Sequence, residues 1–125
     1  MDWKRIGNLA CRWAPVVIWM AIILYLSVIP PIKGTISYSG SPLIDCSKHL
    51  ALYAVLGGLL WAALRNGVAG WRPTLLAIGI GALYGLIEET HQMIVPHHAF
   101  EWLDLAMNEL GVVIGVALLT ILRRR

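Results

Sequence analysis

Hydrophobic residues fall into four long stretches, separated by short segments that contain proline, glycine and charged side chains. The stretches cover about residues 13–29, 45–64, 73–95 and 102–122. Each is close to the roughly 20 residues that a helix needs to cross the hydrocarbon core of a bilayer. The pattern predicts an all-α fold, an integral membrane four-helix bundle that forms a single domain over residues 1–125.

The first stretch superficially resembles a secretory signal, because Lys4, Arg5 and Arg12 precede its apolar part. No small-residue cleavage site stands before Pro30, so we interpret the stretch as an uncleaved membrane anchor. The connection over residues 30–42 is the only one long enough to fold back over one face of the bundle.

Composition supports the membrane interpretation. The chain is 58% hydrophobic, above the roughly 45–50% of soluble domains, and its mean hydropathy is +0.71. A soluble domain of this size could not bury so much apolar surface. The net charge of +3 comes from few and dispersed residues, which argues against nucleic-acid binding. We therefore expect membrane lipids as partners and no nucleic acid.

The basic residues are distributed unequally between the two ends of the predicted spans. Eight of them fall on one side: Lys4, Arg5, Arg12, Arg65, Arg72, Arg123, Arg124 and Arg125. The other side has only Lys33 and Lys48. Lys and Arg are enriched on the cytoplasmic side of membrane proteins, so we expect both termini to be cytoplasmic. Cys11 and Cys46 then lie at opposite faces, too far apart for a disulfide.

Polar residues must extend three of the helices to full length. The strictly apolar runs of the second, third and fourth stretches are each shorter than a bilayer is thick. Ionisable side chains at membrane depth are costly, so they should face the protein interior or a wet cavity. Helical spacing places them on three stripes: Asp45, Lys48, His49, Tyr53 and Gly57; Gly81, Gly85, Glu89 and Gln92; Asp104, Asn108, Gly111 and Gly115.

The stripes share a pattern, polar toward the outer side and glycine-lined deeper in. Small residues spaced four apart let helix backbones approach closely, so we interpret Gly81 and Gly85, and Gly111 and Gly115, as packing positions. The polar faces are predicted to converge in one pocket that opens outward and is closed toward the cytoplasm.

Glu88 and Glu89 are sequence neighbours, so their side chains point about 100° apart on a helix. They are therefore not expected to form a paired acid-base dyad that faces one spot. The stripe that contains Gly85 and Gln92 favours Glu89 as the inward residue, and Glu88 is kept as a candidate binding residue.

Histidines cluster between the third and fourth stretches, at His91, His97 and His98. Their spacing matches no strong zinc signature, and the chain has no H-E-x-x-H motif. We expect no metal site and no cofactor.

Two interpretations of the polar faces stay open. They could form a purely structural network that satisfies buried charge. Alternatively, one carboxylate or His49 acts as general acid or base, while Lys48 supplies positive charge. The candidate catalytic residues are Asp45, His49 and Glu89, and the candidate binding residues are Lys48, Tyr53, Glu88, Gln92, His98, Asp104 and Asn108.

Several short motifs follow one another in a fixed order: Asp45 and His49; Tyr53 and Leu56-Gly57; Tyr84-Gly85; Glu88-Glu89-Thr90-His91-Gln92; Pro96, Asp104, Asn108, Gly111 and Gly115. In this order they resemble the VanZ-like family of small bacterial membrane proteins. The resemblance covers residues 45–115 and implies a multi-pass protein of the bacterial inner membrane. The member that gave the family its name is associated with resistance to the glycopeptide antibiotic teicoplanin.

The chain departs from the family pattern at two places. Cys46 stands where the family often has a basic residue, although Lys48 offers a charge nearby. His97 and His98 follow Pro96 where the family usually shows Pro-x-Arg. Because histidine titrates near neutrality, it would bind an anion less permanently than arginine does.

Our leading hypothesis is a pocket that binds or modifies the headgroup of an envelope lipid or a cell-wall precursor. A small proton- or cation-coupled transporter is the first alternative, although the chain shows no inverted repeats. A structural or accessory membrane subunit is the second. A homo-oligomer is compatible with each of these.

Overall fold

The computed structural model describes residues 3–29, 41–96 and 98–123. Within these ranges it has four helices: α1 (Trp3–Val28), α2 (Pro42–Leu64), α3 (Arg72–Gln92) and α4 (Trp102–Leu122). The predicted all-α, four-helix architecture is confirmed. Residues 30–40 of the longest predicted loop, and His97, lie outside the described residues.

The helix ends follow local chemistry. α2 begins at Pro42, since proline is suited to a first helical turn. α3 ends at Gln92, three residues before the predicted end of the third stretch. Val95 directly precedes Pro96, and a residue in that position disfavours the helical conformation. α1 begins ten residues before the predicted first span, at Trp3.

Consecutive helices alternate in direction, since the first half of α2 meets the end of α3, where Tyr53 Oη donates to Glu88 Oε2. The end of α1 meets the end of α3, where Gln92 Nε2 donates to Ser27 Oγ over 3.2 Å. The start of α2 meets the start of α4, where His49 Nδ1 lies 2.9 Å from Asn108 Oδ1. Among the described residues, α1 packs on α2 and α3, and α4 packs on the same two helices but not on α1.

α2 and α4 pack with their backbones in direct contact. A Cβ added to Gly111 would lie 2.5 Å from the Leu50 carbonyl oxygen, and one added to Gly115 would overlap the Ala54 carbonyl. On α2, a Cβ at Gly57 would meet the backbone of Val112. Only glycine permits this approach, so the interpretation of Gly111 and Gly115 as packing positions is confirmed.

The hydrophobic core is small, and most large apolar side chains face outward. Tyr53, Leu56 and Leu60 of α2 are fully buried with Val112 and Val116 of α4. Many other aliphatic and aromatic side chains along all four helices are exposed. Such an apolar exterior is expected where lipid replaces water as the solvent.

Three helices are long and apolar enough to cross a membrane by length and composition: α1, α2 and α4, with mean hydropathies of 1.9, 1.3 and 2.1. α3 does not meet that criterion among the described residues. It carries Glu88, Glu89 and Gln92 in its last two turns, and these lower its hydropathy.

Candidate functional site

Seven polar side chains gather at the end of the bundle where α2 and α4 begin and α3 ends. We call this set the polar cluster: His49, Tyr53, Glu88, Glu89, Gln92, Asp104 and Asn108. Five of its members are buried, and the side chains of His49 and Asp104 are 20% and 16% exposed. The three polar helix faces therefore converge, and the accessible edge of the cluster is at His49 and Asp104. That they form an outward-facing pocket stays a prediction.

One half of the cluster is centred on Glu88. Tyr53 Oη donates to Glu88 Oε2 over 3.1 Å, and Gln92 Nε2 donates to Glu88 Oε1 over 2.6 Å. Gln92 Nε2 also donates to Ser27 Oγ of α1 over 3.2 Å. Both oxygens of Glu88 therefore act as acceptors, and the contacts join three helices.

The other half is centred on His49, which lies between two residues of α4. His49 Nδ1 is 2.9 Å from Asn108 Oδ1, and His49 Nε2 is 3.5 Å from Asp104 Oδ2. With the Asn108 oxygen as acceptor, Nδ1 carries the ring proton. Nε2 then presents either a lone pair or a second proton toward the accessible edge.

Glu89 lies between the two halves and is fully buried. Its Oε2 accepts a hydrogen bond from the backbone N–H of Glu101 over 3.4 Å. Its Oε1 has no hydrogen-bond partner among the described residues, and neither has Nδ2 of Asn108. Buried polar atoms of proteins are normally satisfied, so an orphaned acceptor and an orphaned donor in one cluster call for a physical explanation.

The expectation that Glu88 and Glu89 do not face one spot, with Glu89 as the inward residue, is wrong. Both are buried, and each offers a carboxylate oxygen to a group with His49 in which all three atoms lie within 4.8 Å of one another. The reason is that α3 packs against α1, α2 and α4, so the covered part of its circumference is wider than one stripe. A 100° separation therefore does not bring either glutamate to the surface.

Three sequence candidates lie away from the buried part of the cluster. Lys48 Nζ and Asp45 Oδ1 form an ion pair of 2.9 Å on the surface of α2, with 31% and 48% of the side chains exposed. His98 follows α3, and its Nδ1 lies 3.3 Å from the Pro96 carbonyl oxygen, an exposed contact. A role for these residues stays a prediction.

Two supporting residues were missed. Ser27 contacts Gln92, and Tyr84 Oη donates to the carbonyl oxygen of Met20 over 2.6 Å, which ties α3 to α1. Ser27 was not predicted, because one hydroxyl group near the end of an apolar stretch produces no periodic pattern. Tyr84 was visible in the sequence as part of the Tyr84-Gly85 motif, but its partner is a backbone atom.

The fold and the cluster define a class: a small multi-pass membrane protein with ionisable side chains buried at one end of its helical bundle. Residues 12–123 match the VanZ/LLP1 family, so the chain belongs to that family. Neither a curated protein nor a solved structure matches the chain significantly. The family resemblance identified from the sequence motifs is thus confirmed.

Proposed function

We propose that this protein binds the polar headgroup of an envelope lipid or of a lipid-linked cell-wall precursor at the accessible edge of the polar cluster. The observation that carries the proposal is the gathering of two buried carboxylic acids and two buried amides, with a partly exposed histidine and aspartate beside them, at one end of a membrane bundle. Ionisable residues at membrane depth are costly and usually mark a functional path or site.

The chemistry of the cluster favours a ligand with hydrogen-bond donors. Glu88, Glu89 and Asp104 supply carboxylate oxygens, and the cluster contains no lysine or arginine. Hydroxyl and amino groups of a headgroup would donate to such acceptors. Glu89 Oε1, which lacks a partner among the described residues, is the acceptor we assign to the ligand.

The same residues suit chemistry on a bound group. His49 and Glu89 are side chains that accept a proton from a hydroxyl or an amine in general base catalysis. Asp104, 3.5 Å from His49 Nε2, would stabilise the resulting imidazolium. The proposed function is headgroup binding, and a chemical reaction on the bound headgroup is its second part.

The orientation belongs to the same proposal. α3 has 21 residues and is about 31 Å long, comparable to the hydrocarbon core of a bilayer. We infer that it also spans, with its glutamates covered by the other helices. The excess of basic residues on the opposite side supports an orientation with both termini in the cytoplasm and the polar cluster on the outer side of a bacterial inner membrane.

Native mass spectrometry of the purified full chain tests the binding. The protein is reconstituted with phosphatidylethanolamine, phosphatidylglycerol or phosphatidylcholine, and the lipids retained after activation are counted. Phosphatidylcholine has no N–H or O–H donor in its headgroup, so we expect it to be retained least. Glu89→Gln and His49→Ala should erase the difference, whereas Glu101→Gln, which removes an exposed carboxylate at the same end, should preserve it. Equal retention of all three lipids by the wild type would argue against a headgroup site.

Teicoplanin tolerance tests whether the site matters in a cell. A bacterial host that lacks the protein is complemented with the wild type, Glu89→Gln or His49→Ala at matched membrane abundance. We expect both variants to lose the tolerance that the wild type confers. If the loss of tolerance instead parallels a lower melting temperature of the variants, the role of the network is structural. Unchanged tolerance in both variants would show that the site is not needed for tolerance.

A further inference from the structure

We propose that His49, Glu88 and Glu89 bind one divalent transition-metal ion, of which zinc is the best suited. One ring nitrogen of His49 and one carboxylate oxygen from each glutamate lie within 4.8 Å of one another. Ligands held about 2.0–2.2 Å from a zinc ion are roughly 3–4 Å apart, so a small closure of the three side chains would complete the contacts.

The second observation is the state of Glu89. Its side chain is fully buried, and its Oε1 has no hydrogen-bond partner among the described residues. A buried carboxylate oxygen without a donor is unfavourable, and coordination to a cation would satisfy it. The orphaned Nδ2 of Asn108, next to His49, would then donate to a water or an anion in the remaining coordination position.

Contacts around the three ligands have the form of an outer coordination shell. Tyr53 and Gln92 donate to the two oxygens of Glu88 and fix its orientation. Asn108 accepts from His49 Nδ1, which leaves Nε2 with its lone pair. Metal-binding histidines commonly donate their other nitrogen in this way, and ligating carboxylates are themselves hydrogen-bonded.

Charge and ligand type point to the class of ion. The polar cluster has three carboxylic acids and neither lysine nor arginine, so a divalent cation would offset the repulsion between the neighbouring glutamates. An imidazole together with carboxylates favours zinc or manganese over magnesium and calcium, which prefer oxygen ligands alone. The expectation of no metal site, drawn from the spacing of the nearby histidines, is replaced by this proposal at different residues.

The zinc proposal rests on the proposed headgroup site, because it uses the same oxygen of Glu89. With the ion bound, Oε1 would hold the ion, and a polar atom of the headgroup would bind at the remaining coordination position. The two proposals are tested separately, since the ion is measured without any lipid assay. The detergent-solubilised full chain is stripped with a chelator, incubated with zinc or magnesium, separated from free metal and analysed by elemental mass spectrometry. We expect about one zinc ion per chain and no retained magnesium. A monodisperse wild type that retains no zinc above the buffer level would overturn the proposal.

Variants separate specific coordination from surface binding. Glu89→Gln and His49→Gln should weaken zinc binding at least tenfold, and Glu101→Gln should leave it unchanged. Tyr53→Phe keeps all three ligands and removes one donor to Glu88, so a loss of about tenfold is expected. Should the first two variants fail to fold, cobalt(II) bound to the wild type supplies the readout. Its visible spectrum should show nitrogen and oxygen ligands and vanish when zinc is added. A cobalt spectrum of the fully hydrated ion, or zinc retention equal in all variants, would reject the site.

Discussion

Replacing Gly115 by alanine tests the backbone contact between α2 and α4. The new Cβ would overlap the carbonyl oxygen of Ala54 and lie 2.7 Å from its carbonyl carbon and 3.0 Å from its Cα. All three atoms belong to the backbone of α2, so no side-chain rotation can relieve the overlap. The two helices must move apart, and the contacts along their shared surface weaken with them.

The expected change in the free energy of unfolding is the difference between a packing cost and a gain in helix propensity. Overpacking of a filled interior costs about 1–3 kcal/mol. The higher helix propensity of alanine stabilises the helix by up to about 1 kcal/mol. Gly79 is the matched control, because it lies in helix α3, is exposed, and has nothing within 4 Å of its added Cβ. Gly79→Ala should therefore be neutral or stabilising by up to about 1 kcal/mol. Gly115→Ala has the same gain and the packing cost, so it should be less stable than Gly79→Ala by about 1–3 kcal/mol.

The assay is the free energy of unfolding of the full chain in mixed detergent micelles, followed by circular dichroism as the denaturing detergent is increased. Gly111→Ala, whose Cβ would meet the Leu50 carbonyl oxygen at 2.5 Å, should behave like Gly115→Ala. If Gly115→Ala and Gly79→Ala unfold at the same detergent fraction, the helices are not in backbone contact, and the reasoning is refuted.

Three further predictions use different contacts. Tyr53→Phe removes the donor to Glu88 Oε2 and should lower the free energy of unfolding by about 1–3 kcal/mol in the same assay; a change within error would mean that the hydrogen bond is absent. Arg12→Gln removes the guanidinium that donates to a carbonyl oxygen near the end of α2, and should cost about 1 kcal/mol. A stability equal to wild type would contradict that contact. A membrane-impermeant maleimide applied to intact cells should label the variant that retains only Cys46 and leave the variant that retains only Cys11 unlabelled until the cells are permeabilised; the reverse pattern would invert the proposed orientation.

The lengths of the apolar stretches were sufficient to predict the number and type of helices, because each stretch is close to the length of a membrane span and short polar segments separate them. The start of α4 at Trp102 and its end at Leu122 agree with the predicted stretch. The start of α1 does not, since its first residues, which include Lys4 and Arg5, continue the helix beyond the apolar part. Hydropathy reports where a helix can meet lipid, and it does not report where helical hydrogen bonding ends.

The site was predictable as a set of helix faces and not as a set of contacts. Spacing placed His49 and Tyr53 on one side of α2 and Asn108 and Gly111 on one side of α4. The burial of Glu88 depends on α3 being covered by three helices, which is a property of the packing. The group formed by His49 and the two glutamates joins positions far apart in the chain, so no local motif could reveal it.

The two halves of the polar cluster differ in burial and in the helices that hold them. The half centred on Glu88 is tied to α1, α2 and α3 through Tyr53 and Gln92, and all its members are buried. The half centred on His49 depends on α4, and it contains the only two cluster members that are partly exposed. A ligand at the accessible edge would lie beside His49 and Asp104, away from the contacts of Glu88. Glu89 lies between the halves and accepts from the backbone at the start of α4, so it is the buried acid nearest to such a ligand. We therefore expect ligand specificity to depend on His49, Asp104 and Glu89. The residues around Glu88 are expected to keep their positions when the ligand binds.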